Sequence, residues 1–128
     1  MNPNQAGSRW SLTRSARDAF RGLGYAFWHT RSIQLGVAIT VAAVLIGWLL
    51  RLPPAELVLI IVGGTLVLAV ETLNTAIEML CDYVHSGTDP RIGRVKDVAA
   101  GATAWTEVGG FVGLVLLYAV QIWRLLGH

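Results

Sequence analysis

Apolar positions fill three long stretches of the chain, and the polar positions between them are few and tightly grouped. Ile33 to Leu50 holds no charged residue, and neither does Leu57 to Val70. From Val98 onward the only charge before Arg124 is Glu107. A bilayer core about 30 Å thick is crossed by roughly 20 mostly apolar helical residues. The pattern therefore predicts transmembrane helices at about 33–50, 57–81 and 98–126. Arg51 and the pair Pro53-Pro54 break the first from the second, because proline removes a helical N–H and clashes with the preceding turn.

A different periodicity precedes the first span. Ala16, Phe20, Leu23 and Phe27 recur at three and four residues and form one helical stripe, while Arg14, Arg17 and Arg21 form another. A basic amphipathic helix over about 9–30 is expected to lie on an anionic leaflet. The other reading is a helix packed on its own protein. The fold class predicted is all-α: an integral membrane protein of three transmembrane helices behind an amphipathic surface helix, forming one membrane domain over residues 1–128.

Composition supports this. Charged residues make up 14% and hydrophobic ones 54%, against about 25% charged in soluble domains. One cysteine, Cys81, excludes an intrachain disulfide framework and a multi-cysteine zinc site. No uninterrupted apolar stretch follows the basic start, so the N-terminus is expected to be retained. Arg9, Arg14, Arg17, Arg21, Arg31, Arg91, Arg94 and Lys96 flank one side of the predicted spans, and only Arg51 and Arg124 flank the other. By the positive-inside rule the N-terminus and second loop are cytoplasmic and the C-terminus is outside, in a multi-pass inner-membrane arrangement. Trp28, Trp48 and Trp123 suit the interfaces. No nucleic-acid partner is expected.

Ionisable residues inside a span are costly and become functional candidates. The second span carries Glu71, Asn74 and Glu78, with Asp82 at its end. Glu71 and Glu78 fall about 20° apart around the helix and about 10.5 Å apart along it. That separation prevents proton sharing and suits two jobs, a base deeper in and a metal ligand nearer the surface. Lys96 and Asp97 are expected to open the third helix, where a helix N-terminus and a lysine together suit a phosphate. Phosphoryl transfer needs these parts. Buried carboxylates also serve proton relays, ion pathways and interhelical ion pairs, and spacing alone leaves those open. Gly63-Gly64 suggest close helix packing, and Cys81 a small apolar filler.

The run Glu71-Thr72-Leu73-Asn74-Thr75-Ala76-Ile77-Glu78, then Asp82, then Lys96-Asp97-Val98-Ala99-Ala100-Gly101-Ala102, resembles the prokaryotic diacylglycerol kinase and undecaprenol kinase family. Ala19-Phe20-Arg21-Gly22-Leu23 resembles its amphipathic helix. The likeness implies a lipid kinase, a homotrimer with shared active sites, that moves the γ-phosphate of MgATP to a membrane lipid hydroxyl of undecaprenol or diacylglycerol. It implies Glu71 as general base, Glu78 as Mg²⁺ ligand, Asn74 and Lys96 at the nucleotide phosphates, and Asp82 and Asp97 completing the polar site.

The pattern departs in two places. A second metal-ligand glutamate of the family falls on Thr30 here, and Ser32 and Gly36 stand where Asn and His are usual. Glu107 replaces an apolar residue; it lies eleven residues after Lys96, on nearly the same face and about 16 Å deeper. With Thr103 it suggests an altered pocket close to the depth of Glu71. Two alternatives follow: the same fold with altered chemistry, such as another acceptor or lipid-phosphate hydrolysis, or a non-catalytic membrane subunit.

Overall fold

The computed structural model describes residues 12–127. Four helices follow one another: α1 (Leu12–His29), α2 (Arg31–Leu49), α3 (Pro54–Val84) and α4 (Pro90–Leu125). Among the described residues there is no strand. Three of the helices are long and apolar enough to cross a membrane. Arg9 and the first residues of the expected amphipathic helix lie outside the described residues.

The helix breaks have local causes. Thr30 is extended (φ −121°, ψ 112°) and separates α1 from α2. The side chain of Gln34 bridges that break by donating to Phe27 O at 2.9 Å. At the other end of α2, Arg51 takes a left-handed φ of 57°, unusual for a side-chain-bearing residue. The freed carbonyls there are not left bare: Gln121 on α4 donates to Leu50 O at 2.8 Å and to Arg51 O at 3.3 Å. Gln121 is buried, and this is its task. Pro54 then starts α3, where a missing N–H costs nothing.

α3 is the central helix, packed against α2 on one side and α4 on the other. Gly64 sets the closest approach: a Cβ there would sit 2.5 Å from both Cγ2 and Oγ1 of Thr40 on α2. Gly63 has nothing within 4 Å, so only one of the adjacent glycines is used for helix contact. Near the α2–α3 turn, Ala43, Leu52 and Ile60 form a small core flanked by Leu57, Leu114 and Tyr118. Tyr118 also donates to Ala43 O.

Elsewhere the helices turn large apolar side chains outward. Val98, Trp105, Phe111 and Leu66 are all exposed. In water such a surface would drive association; in a bilayer it faces lipid or another helix. The apolar stripe of α1 is likewise uncovered at Phe20 and Leu23, while Ala26 packs inward.

The helices are longer than the apolar stretches. At 1.5 Å per residue, the 31-residue α3 and 36-residue α4 run about 46 and 54 Å, past a hydrocarbon core of about 30 Å. α4 begins at Pro90, ahead of the expected 98, because Asp89 caps it by accepting from the Arg91 N–H at 2.8 Å. Hydropathy marks where a helix becomes apolar, and capping marks where it begins.

Candidate active site

The polar residues of α3 form a ladder that climbs from mid-helix to its C-terminal end. Glu71 is the deepest, and only 8% of its surface is exposed. Its Oε2 accepts a hydrogen bond from Ser32 Oγ on α2 at 3.1 Å. A turn further along, Asn74 Nδ2 donates to Glu78 Oε1 at 2.9 Å. Beyond these, Lys96 on α4 donates to Asp82 on α3. Eleven residues separate Glu71 from Asp82, about 16 Å along the axis. The two ends of the ladder therefore lie at different membrane depths.

Three expected features sit differently. Lys96 and Asp97 lie about two turns inside α4, and the helix N-terminus is already capped by Asp89. The expected lysine-plus-N-terminus phosphate site is therefore not formed; Lys96 is held through Asp82 alone. Asp97 is exposed on α4. Thr103 is buried and donates to Ala100 O of its own helix at 2.7 Å, leaving Thr106 on the cleft wall. Thr30 stands at the α1–α2 break without a side-chain cap hydrogen bond. His29 stacks on Tyr25 of its own helix, ring centroids 4.1 Å apart.

Glu71 opens into a cleft of about 1090 Å³ between α2, α3 and α4. Most of its wall is aliphatic, with Leu35, Ile39, Val67 and Leu117 among the lining residues. Its polar end is made by Ser32, Glu71, Thr106 and Glu107. Glu107 lines the same cleft from α4 and is exposed in the described chain. At the opposite end Arg124 pairs with Glu56 at 2.7 Å. The cleft thus suits a long apolar molecule with a polar head beside Glu71.

A resident metal site is absent: among the described residues no trio of His, Cys, Asp or Glu could hold an ion. The donors do fit a magnesium ion that arrives with a nucleotide. Asn74 Oδ1 is buried with no hydrogen-bond partner, next to the Glu78 carboxylate. Magnesium is usually held by one or two carboxylates and otherwise by substrate phosphates and water.

Sequence reasoning did not find the Ser32–Glu71 contact, which joins residues 39 apart. Only the small polar type of Ser32, close behind the α1–α2 break, hinted at it.

Several known proteins are similar to this chain in sequence. A diacylglycerol kinase of Escherichia coli K12 is 29% identical over 117 residues, covering 91% of this chain and 92% of that protein. An undecaprenol kinase of Bacillus subtilis 168 is 30% identical over 105 residues, covering 77% and 84%. A diacylglycerol kinase of Synechocystis is 29% identical over 110 residues, 84% of this chain but 63% of that longer protein. The family model for prokaryotic diacylglycerol kinase matches residues 17–123, and the chain belongs to that family.

Proposed function

We propose that this chain is a membrane lipid kinase that transfers the γ-phosphoryl group of MgATP to a lipid hydroxyl, with Glu71 as general base. The observation that carries the reading is the buried Glu71, aimed by Ser32 into an apolar cleft and followed along α3 by the Asn74–Glu78 and Asp82–Lys96 pairs. Relatives named for diacylglycerol and undecaprenol support a lipid alcohol as the acceptor.

In this reading the lipid tail lies along the aliphatic wall and its hydroxyl meets Glu71. A base within hydrogen-bond reach takes the proton as the oxygen attacks phosphorus. The bond between the γ-phosphorus and the bridging oxygen to the β-phosphate breaks, and ADP leaves. Ser32 fixes the carboxylate so that its free oxygen faces the hydroxyl. Glu78 and Asn74 Oδ1 would hold Mg²⁺, which neutralises phosphate charge when bound. Lys96, aimed by Asp82, takes up charge on the phosphates, and Asp97 adds a polar contact at the same surface. With Thr30 lacking a carboxylate, Glu78 is the main metal-binding charge.

Charge placement supports an inner-membrane topology with the N-terminus and α3–α4 loop in the cytoplasm, where ATP is available. The outward apolar faces and open cleft support assembly into a homotrimer whose neighbours cover them. The test is phosphoryl transfer from labelled ATP in mixed micelles, with undecaprenol and diacylglycerol offered separately. Label enters lipid, and Glu71→Gln lowers the rate by about 10²–10⁴-fold, the usual share of a general base. A Glu71→Gln protein of undiminished activity overturns the assignment.

A further inference from the structure

No other helix of the chain covers the start of α1. Every residue from Leu12 to Leu23 is exposed, and Ala26 is the one buried residue of the helix. Two faces are bare there: one carries Phe20 and Leu23, and the other, about 110° around the helix, carries Arg17 and Arg21. The apolar face is thin, with alanines at 16 and 19, so inserting it into a membrane surface gives only part of the hold. Gly22 and Gly24 weaken the helix, and a Cβ at either would meet nothing within 4 Å, so no close neighbour requires them. α1 leads directly into α2, the first of three helices apolar enough to cross a membrane, which fixes its end near the membrane surface. Its charge says which surface suits it: Arg14, Arg17 and Arg21 stand against a single acid, Asp18. An anionic leaflet attracts such a segment.

The break after α1 lies beside the residue that aims Glu71. Thr30 is the single extended residue between α1 and α2. Gln34 straps the break by donating to Phe27 O at 2.9 Å. Ser32, in the first turn of α2, donates to Glu71 at 3.1 Å. The attitude of α1 is thereby passed to the hydroxyl on Glu71. We infer that α1 is a charge-sensing arm: an anionic phospholipid leaflet clamps it through Arg17 and Arg21, and the clamped arm keeps Ser32 on Glu71, so anionic lipid raises kcat. The link to kcat rests on the kinase reading above. On a neutral leaflet α1 is held by Phe20 and Leu23 alone and swings about Thr30, so that Ser32 leaves Glu71 for part of the time. The Ser32 contact also caps the effect, at about tenfold in rate, the share of one hydrogen bond to a charged group. Arg17 and Arg21 touch no reacting atom; they act through Ser32 as positioning residues.

The experiment places the full chain in nanodiscs of neutral phosphatidylcholine, or of phosphatidylcholine mixed with phosphatidylglycerol, with labelled MgATP and undecaprenol or diacylglycerol. Hydrogen exchange of the α1 amides is read in the same discs, independently of activity. The expected result is that phosphatidylglycerol slows exchange in α1 and raises kcat by about 3–10-fold. The double variant Arg17→Gln, Arg21→Gln keeps the parent's rate in neutral discs within about twofold and loses both responses, since each arginine near an anionic surface is worth about fivefold in binding. Ser32→Ala keeps the slowed exchange but loses the stimulation, because the hydroxyl through which α1 acts is gone. A merely structural role for α1 would not separate the two readouts in this way. Equal exchange in the two discs overturns the inference, and α1 is then held by something other than surface charge, such as a second copy of the chain. Slowed exchange without stimulation overturns it as well, and so does stimulation that survives in Ser32→Ala or in the arginine variant. All of these leave the kinase reading standing, because label still enters lipid. Label entering lipid in neither disc overturns the kinase reading and the link to kcat with it.

Discussion

Replacing Ser32 with alanine removes the hydroxyl that holds Glu71 and leaves the rest of the polar ladder intact. The lost contact is a neutral O–H donated to a carboxylate at 3.1 Å. Hydrogen bonds to charged groups contribute roughly 1.5–3 kcal/mol. Ser32 itself is exposed, so a solvent molecule can replace part of what is lost, and the low end applies. About 1.5 kcal/mol is about a tenfold change in rate. The loss should fall on kcat, because the contact orients the proposed base and touches neither Asn74 nor Glu78. Steady-state transfer from labelled ATP in micelles, with ATP and lipid varied separately, separates the terms. Ser32→Ala lowers kcat about tenfold and leaves KM for ATP within about twofold. Ser32→Asn, which keeps a donor at the same place, recovers most of the loss. If kcat is unchanged, or KM for ATP rises as much as kcat falls, Ser32 does not act through Glu71.

Two further predictions concern the metal and the helix contact. Thr30→Glu adds a carboxylate at the α1–α2 break and should lower the Mg²⁺ concentration for half-maximal activity by about tenfold, with little change at saturation; an unmoved Mg²⁺ titration would show that this position does not reach the metal. Gly64→Ala drives a Cβ to 2.5 Å from Thr40, whose own Cβ stands 3.0 Å away and blocks escape by rotation, so thermal unfolding in micelles should show a loss of about 1–3 kcal/mol. Gly63→Ala, with nothing within 4 Å, is the matched control, and equal losses in both would refute the packing argument.

Much of this architecture is legible along the chain because each part is local. The three spans are set by runs of uncharged residues, and Glu71, Asn74 and Glu78 share a face by helical spacing alone. What lies between helices is less legible. Ser32 meets Glu71 across α2 and α3, and Gln121 caps the turn at Leu50 from 71 residues away. No periodicity reports such pairs, since they depend on how the helices are rotated against each other. The start of α4 is not legible in hydropathy because Arg91, Arg94, Lys96 and Asp97 interrupt its first two turns, and a charged helical end beyond the bilayer leaves no apolar run. Thr103 and Thr106 are nearly a turn apart, and only the packing of α4 decides which of them meets the cleft.

The order of residues on α3 also answers a physical difficulty of the proposed reaction. The acceptor hydroxyl belongs to a molecule whose tail cannot leave the bilayer, and the nucleotide carries charges that cannot enter it. Both must meet to within bonding distance at the boundary. α3, like α4, runs continuously through that boundary, with an apolar cleft beside its deep half and exposed polar side chains at its end. Placing the base at Glu71 and the metal-binding pair at Asn74 and Glu78 on one helix face fixes their separation by the helix geometry itself. Loops could not hold that spacing as firmly. Burying Glu71 has a cost, and Ser32 offsets part of it while aiming the carboxylate.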